Sequence, residues 1–445
     1  MTPETGTVNL LVVCVSGPDS GKRLAITSKP AVVGRAAACE LASDDPDVAE
    51  RHVTLHEEAG KPAFAAIAGC AVFLDGQSRQ QGLLEPRQQL RVGRSLWQME
   101  SAPTAQFSTL IGDFGDRITD IAGVERIEGF RPAEMFSEAL RKRTDEEMEQ
   151  YFAVGTPSTT PPLAEVNTGW PKPWLFLKTF LLAATVYLGF LFIYRHFGNA
   201  IVLPGLLTFG AFVIPFSLLI FFFEINAVRN VPLYQLLKLM MLGGVLSVIL
   251  SLFLFEWTRL DSWLGAMSAG LVEEAGKAAA LLLVINKPKY RWTLNGMLFG
   301  AAVGTGFAAF ESAGYAYLIG GEYGRSAMLS NITTRGILSI FGGHVLWTAL
   351  VGAALWRVRG TRAFEWSMLT EPKFLRAYAV AAGLHMIWNS PLQLPLYIKY
   401  VILGFVIWIA LVAFIQSGLR QIRTAQAEAA SGDTTKTQIP QAALP

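Results

Sequence analysis

The chain has 445 residues, 52% of them hydrophobic and only 16% charged, with a formal net charge of +2. So even a balance gives no electrostatic footprint for nucleic acid, and so apolar a composition is unusual for a wholly soluble protein. Three cysteines, Cys14, Cys39 and Cys70, are odd in number and lack paired C-x-x-C spacing, which argues against a disulfide framework or a cysteine zinc site and fits a reducing cytoplasmic setting.

The apolarity is uneven. Residues before about Trp170 read as soluble and those from Pro173 to about Leu419 as membrane. The apolar run from Val8 to Val15 is short, has no basic flank and ends in Ser-Gly-Pro-Asp, so it does not read as a signal peptide.

Residues 1–105 form the first expected domain. Short runs with β-branched and aromatic residues (Asn9–Val15, Lys22–Thr27, Ala31–Gly34, His52–Glu57, Ala63–Ile67, Ser95–Glu100) alternate with Gly, Pro and Asp turns about every ten residues. This spacing predicts an all-β sandwich. Gly34-Arg35 after a strand, Arg51-His52-Val53 and the closing Leu90-Arg-Val-Gly93 resemble the forkhead-associated (FHA) domain. The resemblance implies a phosphothreonine-peptide site built from loop donors, since charge-assisted bonds suit a phosphate. The serine of that pattern is Ala49 here, and its Asn-Gly pair falls near Cys70-Ala71. Only Arg35 and Arg51 remain as phosphopeptide-binding residues. The reading is therefore an FHA-like scaffold without phosphopeptide recognition, which leaves a cytoplasmic protein as the partner of the head. His52 reads as a core histidine and His56 as a solvated strand residue.

Residues 106–172 form a helical connector followed by a Pro/Thr-rich linker. Met135, Phe136, Ala139, Leu140, Met148 and Phe152 recur at helical spacing within 131–152, Pro132 suits a helix start, and Thr144-Asp-Glu-Glu147 has the capping-box pattern. Gly155-Thr-Pro-Ser-Thr-Thr-Pro-Pro162 reads as extended chain. A solvated spacer is expected, with docking at the membrane as the alternative. Trp170-Pro-Lys-Pro-Trp174 then marks a membrane interface.

From 173 to 420 about eight apolar spans follow, near 174–194, 200–224, 233–256, 263–285, 293–319, 336–356, 375–392 and 397–418, each near the ~20 residues a bilayer crossing needs. The fold class is thus multi-domain: an all-β head, then an all-α polytopic domain in the lipid bilayer. Basic residues concentrate on one side of these spans, which places both termini in the cytoplasm and the protein in the inner (cell) membrane. Residues 421–445, rich in Ala, Thr and Gln, read as a disordered tail.

Within the spans only three carboxylates are deep, Glu273, Glu274 and Glu311, and only two histidines, His344 and His385. A charge at mid-membrane costs roughly 2.5–3.5 kcal/mol on insertion scales, so such residues face a protein-lined, wet cavity. Counting about 1.5 Å per residue puts all of them between the middle and the outer half of the membrane, with His344 about eight residues into its span. Asn389 shares a face with His385, Lys277 lies one turn from Glu273, and Gly296, Gly300 and Gly304 form a stripe for close helix packing. Lys277 is expected to neutralise one glutamate and leave the other free.

The ordered set Glu273-Glu274-x-x-Lys277, Gly306-Phe-Ala-Ala-Phe-Glu311, Gly343-His344 and His385-Met-Ile-Trp-Asn389 resembles the PrsW family of intramembrane proteases, related to the CAAX prenyl endopeptidases. The resemblance covers about 173–420 and implies proteolysis of membrane-anchored substrates. As catalytic residues it points to Glu273, Glu274, His344, His385, Asn389 and Glu311. Glu273 or Glu274 with His385 would activate water, His344 orient it or donate a proton, Asn389 stabilise the oxyanion and Glu311 tune a histidine. The metal alternative uses His344, His385 and Glu273 as Zn²⁺ ligands. No H-E-x-x-H helix is present, so spacing does not assign zinc, and a glutamate–histidine water site is the expectation. Buried Glu and His also build proton-coupled transporters, and the FHA-like head also suits a non-catalytic scaffold. Loss of cleavage on substituting Glu273 or His385 separates these from a protease.

Overall fold

The computed structural model describes residues 10–27, 29–58, 61–85, 88–99 and 114–431. The chain divides into two compact units, Met1–Phe114 and Gly115–Pro445.

The first unit is a sandwich of two sheets. Its strands are β1 (Leu10–Ser16), β2 (Arg23–Ile26), β3 (Ala31–Gly34), β4 (Leu41–Ala42), β5 (Val53–Glu58), β6 (Lys61–Ala66), β7 (Val72–Leu74), β8 (Gln77–Ser78), β9 (Gln81–Leu83), β10 (Leu90–Val92) and β11 (Ser95–Met99). One sheet runs β2-β1-β11-β10-β7-β8 and the other β4-β3-β5-β6-β9. Alternate residues point inward, as a half-buried strand requires. Val12, Cys14, Ile26, Val33, Val53, Leu55, Phe64, Val92 and Trp97 make the core. Gly34 is needed at its place, because a Cβ there would run into the Glu50–Arg51 backbone. The loop after β3 is thereby zipped to residues 49–50, with Arg35 N–H donating to Ala49 O and Ala36 N–H to Glu50 O. His52 is a buried clamp: its Nδ1 accepts the Ala49 N–H at 3.0 Å, which leaves Nε2–H to donate to Ala71 O at 3.0 Å.

In the second unit, residues 115–172 do not run free but pack on the helical bundle. The Thr144–Glu147 capping box starts α1 (Asp145–Phe152). The linker is held too: Gly155, at φ +86°, lies so close to Val231–Pro232 that a side chain would not fit. Gln416 accepts the Glu128 N–H and donates to Arg126 O, and Arg420 pairs with Glu125 and Glu128.

Among the described residues, five helices are long and apolar enough to cross a membrane: α2 (Leu175–Phe197), the run Ala200–Ile225 that contains α3 (Leu203–Ile225), α4 (Leu233–Thr258), α6 (Thr293–Tyr323) and the run Pro395–Ala430 that contains α10 (Ile398–Ala430). α10 therefore continues through 421–430 of the expected tail, and 432–445 lie outside the described residues. The expected spans at 263–285, 336–356 and 375–392 are not among the five. They are occupied by α5 (Ala269–Ala280), α8 (His344–Arg359) and α9 (Pro372–Asn389). α5 has only 12 residues, entered from a 3₁₀ turn at Gly265–Ser268. The run expected at 336–356 begins instead in α7 (Arg325–Leu338), breaks at 339–343, and restarts at His344. His344 is therefore the first residue of its helix rather than a residue two turns into it.

Helix α6 is the axis of the bundle. Its first two turns and middle are buried all round, whereas α2 presents Leu181, Leu182, Leu188 and Phe192 outward. The small-residue stripe sets the contact with α8: a Cβ on Gly296, Gly300 or Gly304 would overlap the carbonyl of Gly352, Thr348 or His344. Glu224, near the end of α3, is buried. Its carboxylate accepts the N–H groups of Trp174, Leu175 and Phe176 at 2.8–2.9 Å, closing the otherwise unpaired start of α2.

Candidate active site

Four helices bring the deep polar residues of the bundle to one place. Glu273 and Glu274 lie on α5, Glu311 on α6, His344 at the start of α8 and His385 on α9. They converge on a cavity of about 650 Å³, lined by Glu273, Glu311, Arg335, His344, His385 and Asn389 among others.

The bonds within the cluster assign a role to each group. Lys277, fully buried, donates to Glu274 Oε1 at 2.5 Å and to His344 Nδ1 at 2.9 Å, and stands 3.9 Å from Glu273 Oε2. An ammonium has no acceptor, so His344 Nδ1 is unprotonated and its proton is on Nε2. That Nε2–H donates to Glu311 Oε2 at 2.7 Å. His385 donates from Nδ1 to Glu274 Oε1 at 3.0 Å, which turns Nε2 toward Glu273. Lys277 thus neutralises Glu274, the closer of its two carboxylates. Glu273 Oε2 is buried without a hydrogen-bond partner, 3.7 Å from His344 Nδ1 and 3.8 Å from His385 Nε2. An ionisable oxygen kept in such a position is expensive unless a further group meets it there.

Aromatic rings hold the two imidazoles. Trp347 stacks on His385 with ring centroids 4.1 Å apart, and Phe307 packs 4.8 Å from His344 while its face receives the Lys277 ammonium at 4.5 Å. Asn389, half-buried at the end of α9, lines the same cavity one turn beyond His385. The first turn of α8, Gly343 to Val345, lines it as well. Backbone N–H groups of a first helical turn have no partner inside their helix.

The residues fit a divalent metal in most respects. Glu273, His344 and His385 each offer one donor atom, all within 4.8 Å of one another. Both imidazoles hand their remaining N–H to a carboxylate, the arrangement that orients metal-bound histidines. One contact stands against it: Lys277 Nζ already occupies the His344 lone pair and would have to leave it.

Sequence reasoning missed Arg335. In the sequence it is one basic residue beside an apolar run, and nothing in its spacing ties it to Glu311. In the structure its Nη2 donates to Glu311 Oε2 at 2.6 Å. In the head, Arg35 and Arg51 are both exposed on the joined loops after β3 and before β5.

Residues 214–415 match the family described as PrsW family intramembrane metalloprotease, and residues 14–102 match the one described as inner membrane component of T3SS, cytoplasmic domain. No curated protein matches the chain. Among solved structures, the FHA domain of CT664 from Chlamydia trachomatis is 14% identical, covering 21% of this chain and 97% of that one with a TM-score of 0.20. The cytoplasmic domain of the T3SS sorting platform protein PscD from P. aeruginosa is 18% identical, covering 21% of this chain and 82% of that one with a TM-score of 0.20.

Proposed function

We propose that the PrsW-type membrane protease domain formed by residues 214–415 hydrolyses peptide bonds of membrane-anchored proteins near the outer face of the bilayer. The observation that carries this reading is the unpartnered, buried Glu273 Oε2 facing two histidines of fixed tautomer across a polar cavity. The three site helices α5, α8 and α9 complete eight crossings, with both termini in the cytoplasm of a cell whose inner membrane holds the chain.

The residues divide the reaction as follows. A water held between Glu273 Oε2 and His385 Nε2 attacks the scissile carbonyl carbon, and Glu273 takes its proton. The carbonyl oxygen gains the charge and meets Asn389 and the amides that open α8, donors in place before the charge develops. When the C–N bond breaks, the proton on Glu273 passes to the leaving nitrogen. Glu274 and Glu311 keep His385 and His344 in the tautomers that face the cavity. Lys277 places a fixed positive charge beside the developing one.

The histidine–carboxylate pairs favour a second form of the same site, in which Glu273, His344 and His385 hold Zn²⁺. A bound zinc would polarise the carbonyl and lower the pKa of its water. Metal analysis of the purified protein separates the two forms. Stoichiometric zinc, with cleavage lost on chelation and regained on its return, selects the metal form, and full activity after chelation selects the glutamate form.

The test of the function itself is a comparison of membrane proteomes from cells holding the native chain and Glu273→Gln. At least one membrane protein should be shortened only in the former. Identical proteomes, with both proteins at equal level, would refute hydrolysis and leave the scaffold or transporter reading. For the head we infer docking of a cytoplasmic protein without phosphate dependence, because Arg35 and Arg51 stand alone where the FHA pattern has further donors. Micromolar, phosphate-dependent binding of a phosphothreonine peptide by the full chain would overturn that.

A further inference from the structure

We propose that Arg335 is a positioning residue for the site: from the far side of the break between α7 and α8, it holds Glu311 and, through it, His344. The inference rests on the hydrolytic reading of the cavity only for its consequence on rate, not for the arrangement itself.

Three contacts fix the guanidinium against one helix. Nη2 donates to Glu311 Oε2 at 2.6 Å, Nε donates to Ser312 Oγ at 3.1 Å, and the group lies 4.7 Å over the Tyr315 ring. Residues 311, 312 and 315 are neighbours on α6, so Arg335 is a staple between the last turn of α7 and the middle of α6. Glu311 Oε2 is at the same time the acceptor for His344 Nε2–H. One carboxylate oxygen therefore carries both donors, and its position is set as much by Arg335 as by the histidine.

The covalent chain does not do this work. Ser339–Gly343 is non-helical, with Gly343 at φ +145°, so α7 and α8 are not one continuous helix. Irregular backbone at membrane depth persists where it is buried in protein or lines a cavity, as here. His344, as the first residue of α8, takes its orientation from its ring partners: Lys277 on Nδ1, Glu311 on Nε2 and Phe307 on its face. Without Arg335, Glu311 keeps one polar tether fewer and is free to swing toward the cavity. With its Nε2–H no longer met by a fixed Glu311, the His344 ring turns and draws Nδ1 away from Lys277, so that the second tautomer becomes populated and the Nδ1 lone pair is partly withdrawn from the site. Lysine does not replace arginine here, because a single ammonium does not span both Glu311 and Ser312 in the fork geometry.

Histidine ring nitrogens report this directly. The full-length protein, ring-¹⁵N-labelled at its 5 histidines and held in detergent micelles, gives the tautomer of each, with His344 assigned by its loss in His344→Gln. The native chain should show His344 with one protonated and one bare nitrogen. In Arg335→Ala its two signals should move toward each other while those of His385 stay in place, and Arg335→Lys should lie between. Millimolar guanidinium, entering the open cavity beside the shortened side chain, should restore the native signals. Cleavage of the membrane protein found in the Glu273→Gln comparison should fall on the order of 10-fold or more in kcat with KM unchanged, and recover with guanidinium. Native His344 signals in a folded Arg335→Ala protein overturn the proposal, whatever its activity. An unfolded Arg335→Ala protein leaves Arg335→Lys to decide, where native signals overturn it equally. If the tautomers mix but Glu273→Gln cleaves as well as the native chain, the hydrolytic reading falls and the hold of Arg335 on His344 stands.

Discussion

Gly304→Ala tests whether the spacing of α6 and α8 sets the chemistry. A Cβ on Gly304 would fall about 1 Å inside the 3.4 Å limit of ordinary contact with the His344 carbonyl. The obstacle is helix backbone, which has no rotamer to escape into, so α8 must retreat by about that distance. His344 moves with it, away from Glu311 and Lys277. A misplacement of ~1 Å at a reacting group costs on the order of 100-fold in rate. The stability cost of one methyl forced into a packed interface is smaller, about 1–3 kcal/mol. The control is Gly314→Ala on the same helix, where no atom lies within 4 Å of the new Cβ. Alanine there should be neutral or stabilising by up to about 1 kcal/mol, since it is the better helix former. Cleavage rate and thermal unfolding, measured on both variants in the same detergent, check the pair. Equal rates for Gly304→Ala and Gly314→Ala, with both folded, would refute the dependence of the site on this helix contact.

Glu224→Gln should lower stability by about 1.5–3 kcal/mol, because a carboxylate accepting three backbone N–H groups at the start of α2 loses its charge; an unchanged unfolding midpoint would show that α2 holds without it. In the head, burial pushes the Asp19 carboxyl up, but bonds from the Lys22 ammonium, the Ser43 hydroxyl and the Asp44 N–H outweigh it and hold the group below the usual carboxylate range. A pKa depressed by folding adds stability that is fully present above the unfolded value and lost as pH falls through the folded one. Hydrogen exchange of β1 and β11 in the full chain, corrected for intrinsic rates, should therefore show the head loosening from neutral pH toward about pH 3, with a flatter profile in Asp19→Asn; equal slopes would exclude Asp19 as the cause.

The deep polar residues were legible because the membrane makes them conspicuous. Glu273, Glu274, Glu311, His344 and His385 are few, and each is costly where it stands, so their agreement in depth already pointed to a shared cavity. What joins them was less legible. Lys277 has helical spacing to Glu273 and Glu274 alike, and only the side-chain geometry shows that it bonds to Glu274 and leaves Glu273 bare. Arg335 was unreadable for a different reason: a basic residue beyond an apolar run marks the membrane boundary in most chains, and here it turns inward to Glu311 instead. The break at 339–343 was hidden because apolar residues flank it on both sides, and hydropathy does not register whether the helix between them is continuous. These misses have one physical root. A hydrolytic site needs water, charge and unpaired backbone donors at a depth where lipid tolerates none of them, so beside α6, which carries Glu311, the helices that supply them are short or broken. None of α5, α8 and α9 is both long and apolar enough for a membrane span, and each places a glutamate or a histidine on the cavity. In this chain, the segments least like ordinary membrane spans are therefore where Glu273, His344 and His385 stand.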